Sequence, residues 1–297
     1  ITPIPFIISQ VIASNIGGTA TLIGDPPNIM IGSAAGLSFI DFIIHLSPLI
    51  LILILVFSAF SYFAWGSKMV VTNERKARIM EFKESEFIQD KPLLIKSLIV
   101  LALLIIGFIF HGYLHLEAAT IALTGASLLM LMTGKKEMTA FFHEIEWETI
   151  FFFIGLFIMV SGLVETGVIK TMADWLMSYT DGNIEKASYI ILWSSGIFSG
   201  FIDNIPFVAT MIPLIKQFGV ESAVNGNSII PIWWSLALGA CLGGNATLIG
   251  ASANVVSAGI SAKNGYKISF WEFTKYGAII TLINLFVCNI YIYLRYF

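Results

Sequence analysis

Charge is scarce in this chain of 297 residues: Asp, Glu, Lys and Arg make up 12% of it, about half the share found in an average soluble domain. The charged residues are also unevenly spread, with eleven of them crowded between Lys68 and Lys91. Hydrophobic residues make up 57%, and the mean hydropathy is +0.86. This composition excludes an ordinary soluble enzyme and a disordered chain. The net charge of −3 offers no basic surface for nucleic acid, so no nucleic-acid partner is expected.

Cysteine and the usual catalytic motifs are lacking as well. The two cysteines, Cys241 and Cys288, lie in apolar stretches and belong to no CxxC or CxxH spacing. The sequence contains neither the HExxH pattern of zinc hydrolases nor the GxSxG pattern of serine hydrolases. These absences argue against an intramembrane enzyme, and we expect no cofactor.

Long apolar runs are abundant. Each is long enough to cross a bilayer as a tilted helix, and none alternates as the strands of a membrane barrel do. The sequence therefore predicts an all-α, polytopic membrane protein. The predicted spans cover residues 43–63, 97–114, 118–133, 149–168 and 278–294.

Three further apolar regions, residues 6–35, 188–218 and 229–260, are interrupted by Gly, Pro, Asn or Asp. Irregular backbone at membrane depth is tolerated only where it is surrounded by protein or lines a water-filled cavity. These interruptions predict unwound membrane helices. In residues 188–218, the interruption Asp203-Asn204-Ile205-Pro206 predicts the tip of a hairpin.

The distribution of lysine and arginine predicts the orientation in the membrane. The basic loop 65–92 is taken as cytoplasmic. If residues 188–218 form a re-entrant hairpin from the outer face, twelve of the sixteen basic residues are cytoplasmic. If they cross the membrane fully, Lys263, Lys267 and Lys275 fall on the outer face. The charge rule thus favours the hairpin, and it places the amphipathic stretch 169–187 at the outer interface.

An internal repeat is the most specific feature of the sequence. The segment GGTATLIGDPPN at residues 17–28 matches GGNATLIGASAN at residues 243–254, with eight of twelve positions identical at a distance of 226 residues. The segments SFIDF at 38–42 and SFWEF at 269–273 continue the match. With the orientation above, the two copies cross the membrane in opposite directions. Inverted repeats with broken helices are typical of secondary transporters.

The repeat also predicts the division of the chain. Residues 1–65 form the rest of a first repeat, 66–96 a cytoplasmic loop, and 97–297 a second repeat with its hairpin at 188–218, unwound helix at 229–260 and last span at 278–294. The hairpin tip lies 40 residues before Gly243, and its counterpart would fall before residue 1. The chain is therefore expected to be about two-thirds of a full carrier.

These motifs, together with WETIFFFIGLF at residues 147–157 and DNIPF at 203–207, resemble the ion transporter superfamily. The nearest branch comprises arsenite permeases, the melanosomal P protein and NhaD-type sodium/proton antiporters, usually filed as citrate-transporter-like. The resemblance implies two inverted repeats, each with a hairpin and an unwound helix. It also implies a homodimer that works by an elevator-like motion.

The candidate site combines the hairpin tip with the two Gly-rich breaks, where half-helix termini and freed carbonyls can bind ions. Asp203 and Asn204 are possible Na⁺ ligands, although Asp203 alternatively caps a half-helix. Asp25 either caps a half-helix or carries a proton. Cys241 either binds a metalloid or packs as a small core residue. The predicted binding residues are Gly17, Gly18, Thr19, Thr21, Asp25, Asn28, Asp203, Asn204, Gly243, Gly244, Asn245, Thr247 and Asn254, with Ser252 and Ser257 as weaker candidates.

The sequence thus predicts secondary active transport of a small inorganic or organic anion, such as arsenite or a citrate-like dicarboxylate, coupled to Na⁺ or H⁺. An NhaD-type Na⁺/H⁺ antiporter and an ion channel are the alternatives. The expected location is the plasma membrane of a prokaryote, where the chain contacts lipid along several spans.

Overall fold

The computed structural model describes residues 3–66, 90–133, 145–223 and 228–297, together with residues 88 and 143. Within these ranges the chain forms twelve α-helices and no strand, as the sequence predicts. The helices are α1 Ile4–Gly18, α2 Pro26–Ala35, α3 Phe39–Trp65, α4 Lys91–Leu114, α5 Ala118–Thr133, α6 Trp147–Glu165, α7 Val168–Thr180, α8 Ile184–Phe198, α9 Asn204–Ala223, α10 Ile230–Gly243, α11 Ser252–Lys263 and α12 Phe270–Tyr296.

Four of the described helices, α3, α4, α6 and α12, are long and apolar enough to cross a membrane. Capping residues start some of them earlier than hydropathy alone suggests. Ser38 caps α3 by accepting a hydrogen bond from the Asp41 amide, and Ser269 caps α12 in the same way from Glu272.

The loop predicted at residues 66–96 ends earlier than expected. Asp90 caps α4 and Pro92 lies in its first turn, so residues 91–96 are helical rather than part of the loop. Residues 67–87 and 89 of the predicted loop lie outside the described residues.

Each interrupted apolar region folds as two helices around a short non-helical segment, as predicted. We call residues 19–25, between α1 and α2, the first break, and residues 244–251, between α10 and α11, the second break. Residues 199–203, between α8 and α9, form the hairpin turn. Pro26 and Pro27 begin α2, where a missing amide hydrogen costs nothing.

Helix α10 lies at the centre of the packing, and every residue from Pro231 to Gly243 is buried. It packs against α1, α2, α8, α9 and α12. The approach to α8 is backbone to backbone, since a Cβ on Gly243 would lie 2.5 Å from the carbonyl oxygen of Gly196. Helices α4 to α6 lie at the periphery and expose most of their apolar side chains, which suits contact with lipid.

Helices α3 and α12, the equivalent helices of the two copies, run antiparallel. At one end the His45 Nδ1 and the Tyr296 hydroxyl lie 2.7 Å apart. At the other end the rings of Trp65 and Tyr276 have centroids 4.5 Å apart. Opposite directions are what inverted repeats require. The inversion across a membrane stays a prediction, because no bilayer is part of the structure.

Helix α7 is amphipathic, as the pattern of residues 169–187 predicts. Its buried residues Ile169, Ala173, Leu176 and Thr180 recur at helical spacing on one face. They pack the helix against α9 and α8. The helix therefore joins the peripheral span α6 to the hairpin.

Candidate functional site

The two breaks adopt nearly the same conformation. The residue that ends each break is extended, with φ −146° and ψ 136° at Asp25 and φ −149° and ψ 144° at Ala251. The amide of Gly24 donates to Thr21 O at 3.3 Å, and the amide of Gly250 donates to Thr247 O at the same distance. The repeated sequence thus folds as a repeated loop.

Glycine is required where each break folds back on itself. A Cβ on Gly18 would lie 2.6 Å from the carbonyl oxygen of Gly24, and one on Gly244 would lie 2.9 Å from that of Gly250. Both distances are too short for any other residue without backbone movement. Gly17 differs from its counterpart Gly243, because nothing in the described chain lies within 4 Å of a Cβ placed there.

Two asparagines brace the breaks from the helices that follow. The Asn254 side chain donates from Nδ2 to the carbonyls of Gly244, at 2.8 Å, and Thr247, at 2.9 Å. Asn28 donates to the equivalent carbonyls of Gly18, at 3.5 Å, and Thr21, at 3.0 Å, and to Thr19 O. Both side chains are almost fully buried. Carbonyls freed by the breaks are therefore already partnered by an amide.

The braces are held from the other copy. Asn15 in α1 donates from Nδ2 to the Asn254 Oδ1 at 2.9 Å, and Cys241 in α10 donates from Sγ to the Asn28 Oδ1 at 3.3 Å. Asn15 and Cys241 are themselves 226 residues apart and are therefore equivalent positions. Cys241 is fully buried, and its thiol also contacts the Asp25 carboxylate.

The remaining polar residues of the breaks hold neighbouring backbone. Asn245 accepts from Asn15 Nδ2 at 2.9 Å and donates to Ile12 O at 3.5 Å. Its counterpart Thr19 donates to Asn15 O at 2.9 Å, within α1. Thr247 donates to the carbonyl of Gly200 and so ties the second break to the hairpin turn.

The hairpin tip contacts both breaks. Asn204 Nδ2 lies 3.5 Å and 3.3 Å from the two carboxylate oxygens of Asp25, at the end of the first break. Asp203 accepts from the Ser252 hydroxyl at 2.9 Å, just after the second break, and from the Ile205 amide at 3.0 Å. The structure thus brings together the three segments that the sequence singled out separately.

Three helix N-termini meet at this contact. Asp25 precedes α2, Asp203 precedes α9, and Asn204 and Ser252 are the first residues of α9 and α11. Helix N-termini carry partial positive charge and bind anions. Among the described residues, the donors in the hydrogen bonds of the Asp25 and Asp203 carboxylates are the Asn204 side chain, the Ile205 amide and the Ser252 hydroxyl, all of them neutral. The arrangement suits an anion held by backbone dipoles, or a cation held by carboxylates.

The two carboxylates are engaged differently. Both oxygens of Asp203 accept hydrogen bonds of 2.9–3.0 Å, and its bond to the Ile205 amide fits the capping role considered from the sequence. The bonds from Asn204 to Asp25, at 3.3–3.5 Å, are longer than the usual 2.9–3.0 Å, so the Asp25 oxygens are held less tightly than those of Asp203. Ser252 contacts the tip, whereas Ser257 lies farther along α11, beside a groove lined by α1 and α11 residues.

The sequence interpretation missed Asn15, and it favoured a plain packing role for Cys241. Asn15 lies just before the repeated motif, at a position where the copies differ in residue type, so a motif search does not reach it. The one available signal was its position opposite Cys241 in the alignment of the copies.

Comparison with known proteins agrees with this architecture. Residues 1–239 match the citrate transporter family, CitMHS. The chain is 45% identical to an uncharacterized transporter of Mycobacterium tuberculosis, with 98% of this chain and 67% of that protein covered. It is 44% identical to a 46 kDa membrane protein of Mycobacterium leprae, covering 98% and 68%, and 30% identical to the P protein of Sus scrofa, covering 98% and 43%. The chain spans about two-thirds of the length of the mycobacterial relatives. By this match, and in agreement with the resemblance seen in its motifs, the chain belongs to the citrate transporter family of integral, multi-pass membrane transporters.

Proposed function

We propose that the chain forms most of a secondary active transporter that moves a small anion coupled to Na⁺ or H⁺. The observation that carries the proposal is the contact of the hairpin tip with both breaks, through Asn204 and Asp25 on one side and Asp203 and Ser252 on the other. This contact gathers three helix N-termini and two carboxylates at one place. Membership of a transporter family supports it.

The geometry suggests how cation and anion binding are coupled. Asp25 and Asp203 lie at the helix N-termini where an anionic substrate would bind. Their negative charges would repel the negative charge of a substrate bound there. A proton or Na⁺ on Asp25 removes one of these negative charges. The N-terminal dipoles of α2, α9 and α11 are then available to the anion. Cation binding therefore precedes or accompanies anion binding.

Movement would follow from the separation between the central and peripheral helices. Helices α1–α3 and α8–α12 hold the site, while α4–α6 pack mainly on their edge. We propose that the central group moves against α4–α6 in an elevator-like cycle, with α7 as the arm that joins α6 to the hairpin. A homodimer would form through the peripheral spans.

The test is transport by the full-length protein in proteoliposomes. Citrate, arsenite, sulfate and phosphate are each assayed for counterflow and for accumulation driven by imposed Na⁺ or pH gradients. The Asp25→Asn variant mimics the neutralised carboxylate. It should keep counterflow of the anion. Gradient-driven accumulation should fall about ten-fold or more, which corresponds to a loss of about 1.4 kcal/mol of coupling free energy.

Asp174→Asn is the matched control, because Asp174 is exposed on α7 and far along the chain from the breaks. It should accumulate the anion like the wild type. Gradient-driven accumulation that survives in Asp25→Asn would contradict the proposed role of Asp25.

Na⁺/H⁺ antiport is the second candidate, and it is favoured by the carboxylate-rich contacts of the tip, which include no Lys or Arg among the residues that the structure describes. An antiporter needs carboxylates that alternate between Na⁺ and H⁺ and needs no anion. In that case no anion accumulates, a Na⁺ gradient drives protons in anion-free vesicles, and Asp25→Asn abolishes the exchange.

A further inference from the structure

We propose that Asn15 and Cys241 are positioning residues that link the two breaks, so that a change at one break is transmitted to the other. The inference deepens the proposed transport function and rests on it. Each residue lies in the helix before its own break, and each holds the asparagine that braces the break of the other copy. The first copy thus holds the brace of the second break through Asn15, and the second copy holds the brace of the first break through Cys241.

The bracing amides explain how the link transmits a change. The Asn254 amino group holds two carbonyls of the second break while its oxygen accepts from Asn15 in the first copy. Since an amide is planar, the amino group and the oxygen turn together. Asn28 has the same arrangement, with its oxygen held by Cys241. A brace cannot release its own break without disturbing the bond to the other copy.

A bound cation would disturb these braces directly. Freed carbonyls are natural ligands for Na⁺, and the carbonyls of Thr21 and Thr247 now accept from the bracing amides. A carbonyl that turns toward a cation weakens its bond to the asparagine. The asparagine then shifts relative to Asn15 or Cys241. Because that residue lies in the helix before the other break, the other break is displaced as well.

The two links differ in strength. Asn15 uses one amino group for both Asn254 and Asn245, at 2.9 Å each, whereas the Cys241 thiol is a weak donor at 3.3 Å. The second break is therefore held more firmly than the first, which carries Asp25. Removing the Asn15 link should have the larger effect on ion binding.

The test measures stabilisation of the purified full-length protein by the coupling ion. Thermal unfolding is followed while NaCl replaces choline chloride, or across pH where the wild type responds only to protons. The variants are Asn15→Leu, Cys241→Ala and Cys241→Ser. Serine keeps a hydroxyl donor at the site of the thiol, and alanine keeps none, so this pair changes the donor with little change in volume.

Asn289→Leu is the matched control. Asn289 accepts from the Trp193 indole at 3.0 Å, between α8 and α12. The Asn289→Leu variant therefore loses an interhelical hydrogen bond of similar length that involves neither break. A purely structural role for Asn15 or Cys241 would make their variants behave like this control, with a lower melting temperature and an unchanged ion half-saturation.

We expect the half-saturating ion concentration to shift by about five- to ten-fold in Asn15→Leu, which loses the hydrogen bonds to Asn254 and Asn245. The shift should be smaller in Cys241→Ala and absent in Cys241→Ser. If Asn15→Leu does not fold, the two Cys241 variants and Asn28→Ala decide. The Cys241 sulfur also lies beside Asp25, so Asn28→Ala, which loses the other side of the Cys241–Asn28 bond, must shift the half-saturating ion concentration as well. An unchanged half-saturation in Asn28→Ala, or equal ion binding by the two Cys241 variants, overturns the inference. A wild type without any ion-dependent stabilisation overturns the transport proposal and the link with it. Ion binding that every variant keeps overturns the link alone.

Discussion

At the scale of single residues, the bracing asparagines give a direct prediction for stability. Asn254→Ala removes the donor to two buried carbonyls, and an unpartnered buried polar group costs about 1–3 kcal/mol. Asn28→Ala should cost less, because its bonds of 3.0–3.5 Å are longer than the 2.8–2.9 Å bonds of Asn254. Thermal unfolding in detergent measures both.

Asn264→Ala serves as the control for these two variants. Its side chain also donates to a carbonyl, that of Ile260 at 2.9 Å, but at an exposed helix end. Water replaces that bond, so the melting temperature should hardly change. If Asn264→Ala lowers the melting temperature as much as Asn254→Ala does, burial does not explain why the Asn254 hydrogen bonds stabilise the protein.

The two copies of the repeat also differ at the scale of single residues. Asp25 and Ala251 have matching backbone geometry. The backbone of the break therefore forms with either residue, and the fold does not require the Asp25 carboxylate. The hairpin tip faces this difference directly, with Asn204 toward Asp25 and Asp203 toward Ser252. The site is therefore chemically asymmetric although its backbone is repeated.

At the scale of elements, the contact between α8 and α10 depends on glycine. Gly243→Ala would place a Cβ 2.5 Å from the Gly196 carbonyl oxygen and 2.8 Å from its Cα, and neither backbone atom can move without shifting a helix. The hairpin should separate from α10, with a loss of stability of about 1–3 kcal/mol, the usual cost of overpacking. Thermal unfolding and the transport assay report on this separation.

Gly259→Ala in α11 is the comparison for that change. A Cβ there meets nothing within 4 Å in the described chain, and alanine favours a helix over glycine by up to about 1 kcal/mol. This variant should be as stable as the wild type or more so. Equal destabilisation by both substitutions would contradict the steric explanation.

Sequence patterns predicted these elements well and their mutual contacts poorly. The repeat located both breaks, and DNIP located the hairpin turn, because Gly, Pro and Asn interrupt helices for local reasons. Helix α5 has the predicted bounds, residues 118–133, but with 16 residues it is not among the four helices that are long enough to cross a membrane. The bonds of Asn15 to Asn254 and of Asn204 to Asp25 join residues 239 and 179 positions apart. Such contacts depend on how helices pack, and periodicity indicates only which residues share a face.

At the scale of the whole molecule, several contacts agree with the orientation predicted from charge. The Phe39 amide donates to His111 Nε2 at 2.9 Å, so the loop before α3 lies beside the turn between α4 and α5. Arg295 donates to Ile44 O at 3.0 Å, which places the end of α12 near the start of α3. With loop 65–92 on the cytoplasmic side, the predicted spans place all these segments on the outer face. The contacts group them on one side of the molecule.

Labelling of introduced cysteines would settle that orientation and the nature of the hairpin together. Glu117, Lys186 and Lys267 are exposed positions near the α4–α5 turn, the start of α8 and the start of α12. Cys241 and Cys288 are fully buried, so a membrane-impermeant maleimide should not label them. If α8 and α9 enter and leave from one face, Glu117→Cys and Lys186→Cys label in intact cells, and Lys267→Cys labels only after permeabilisation. If all three label from the same side, α8 and α9 together cross the membrane, and this result would contradict both the inversion of the copies and the antiparallel packing of α3 and α12.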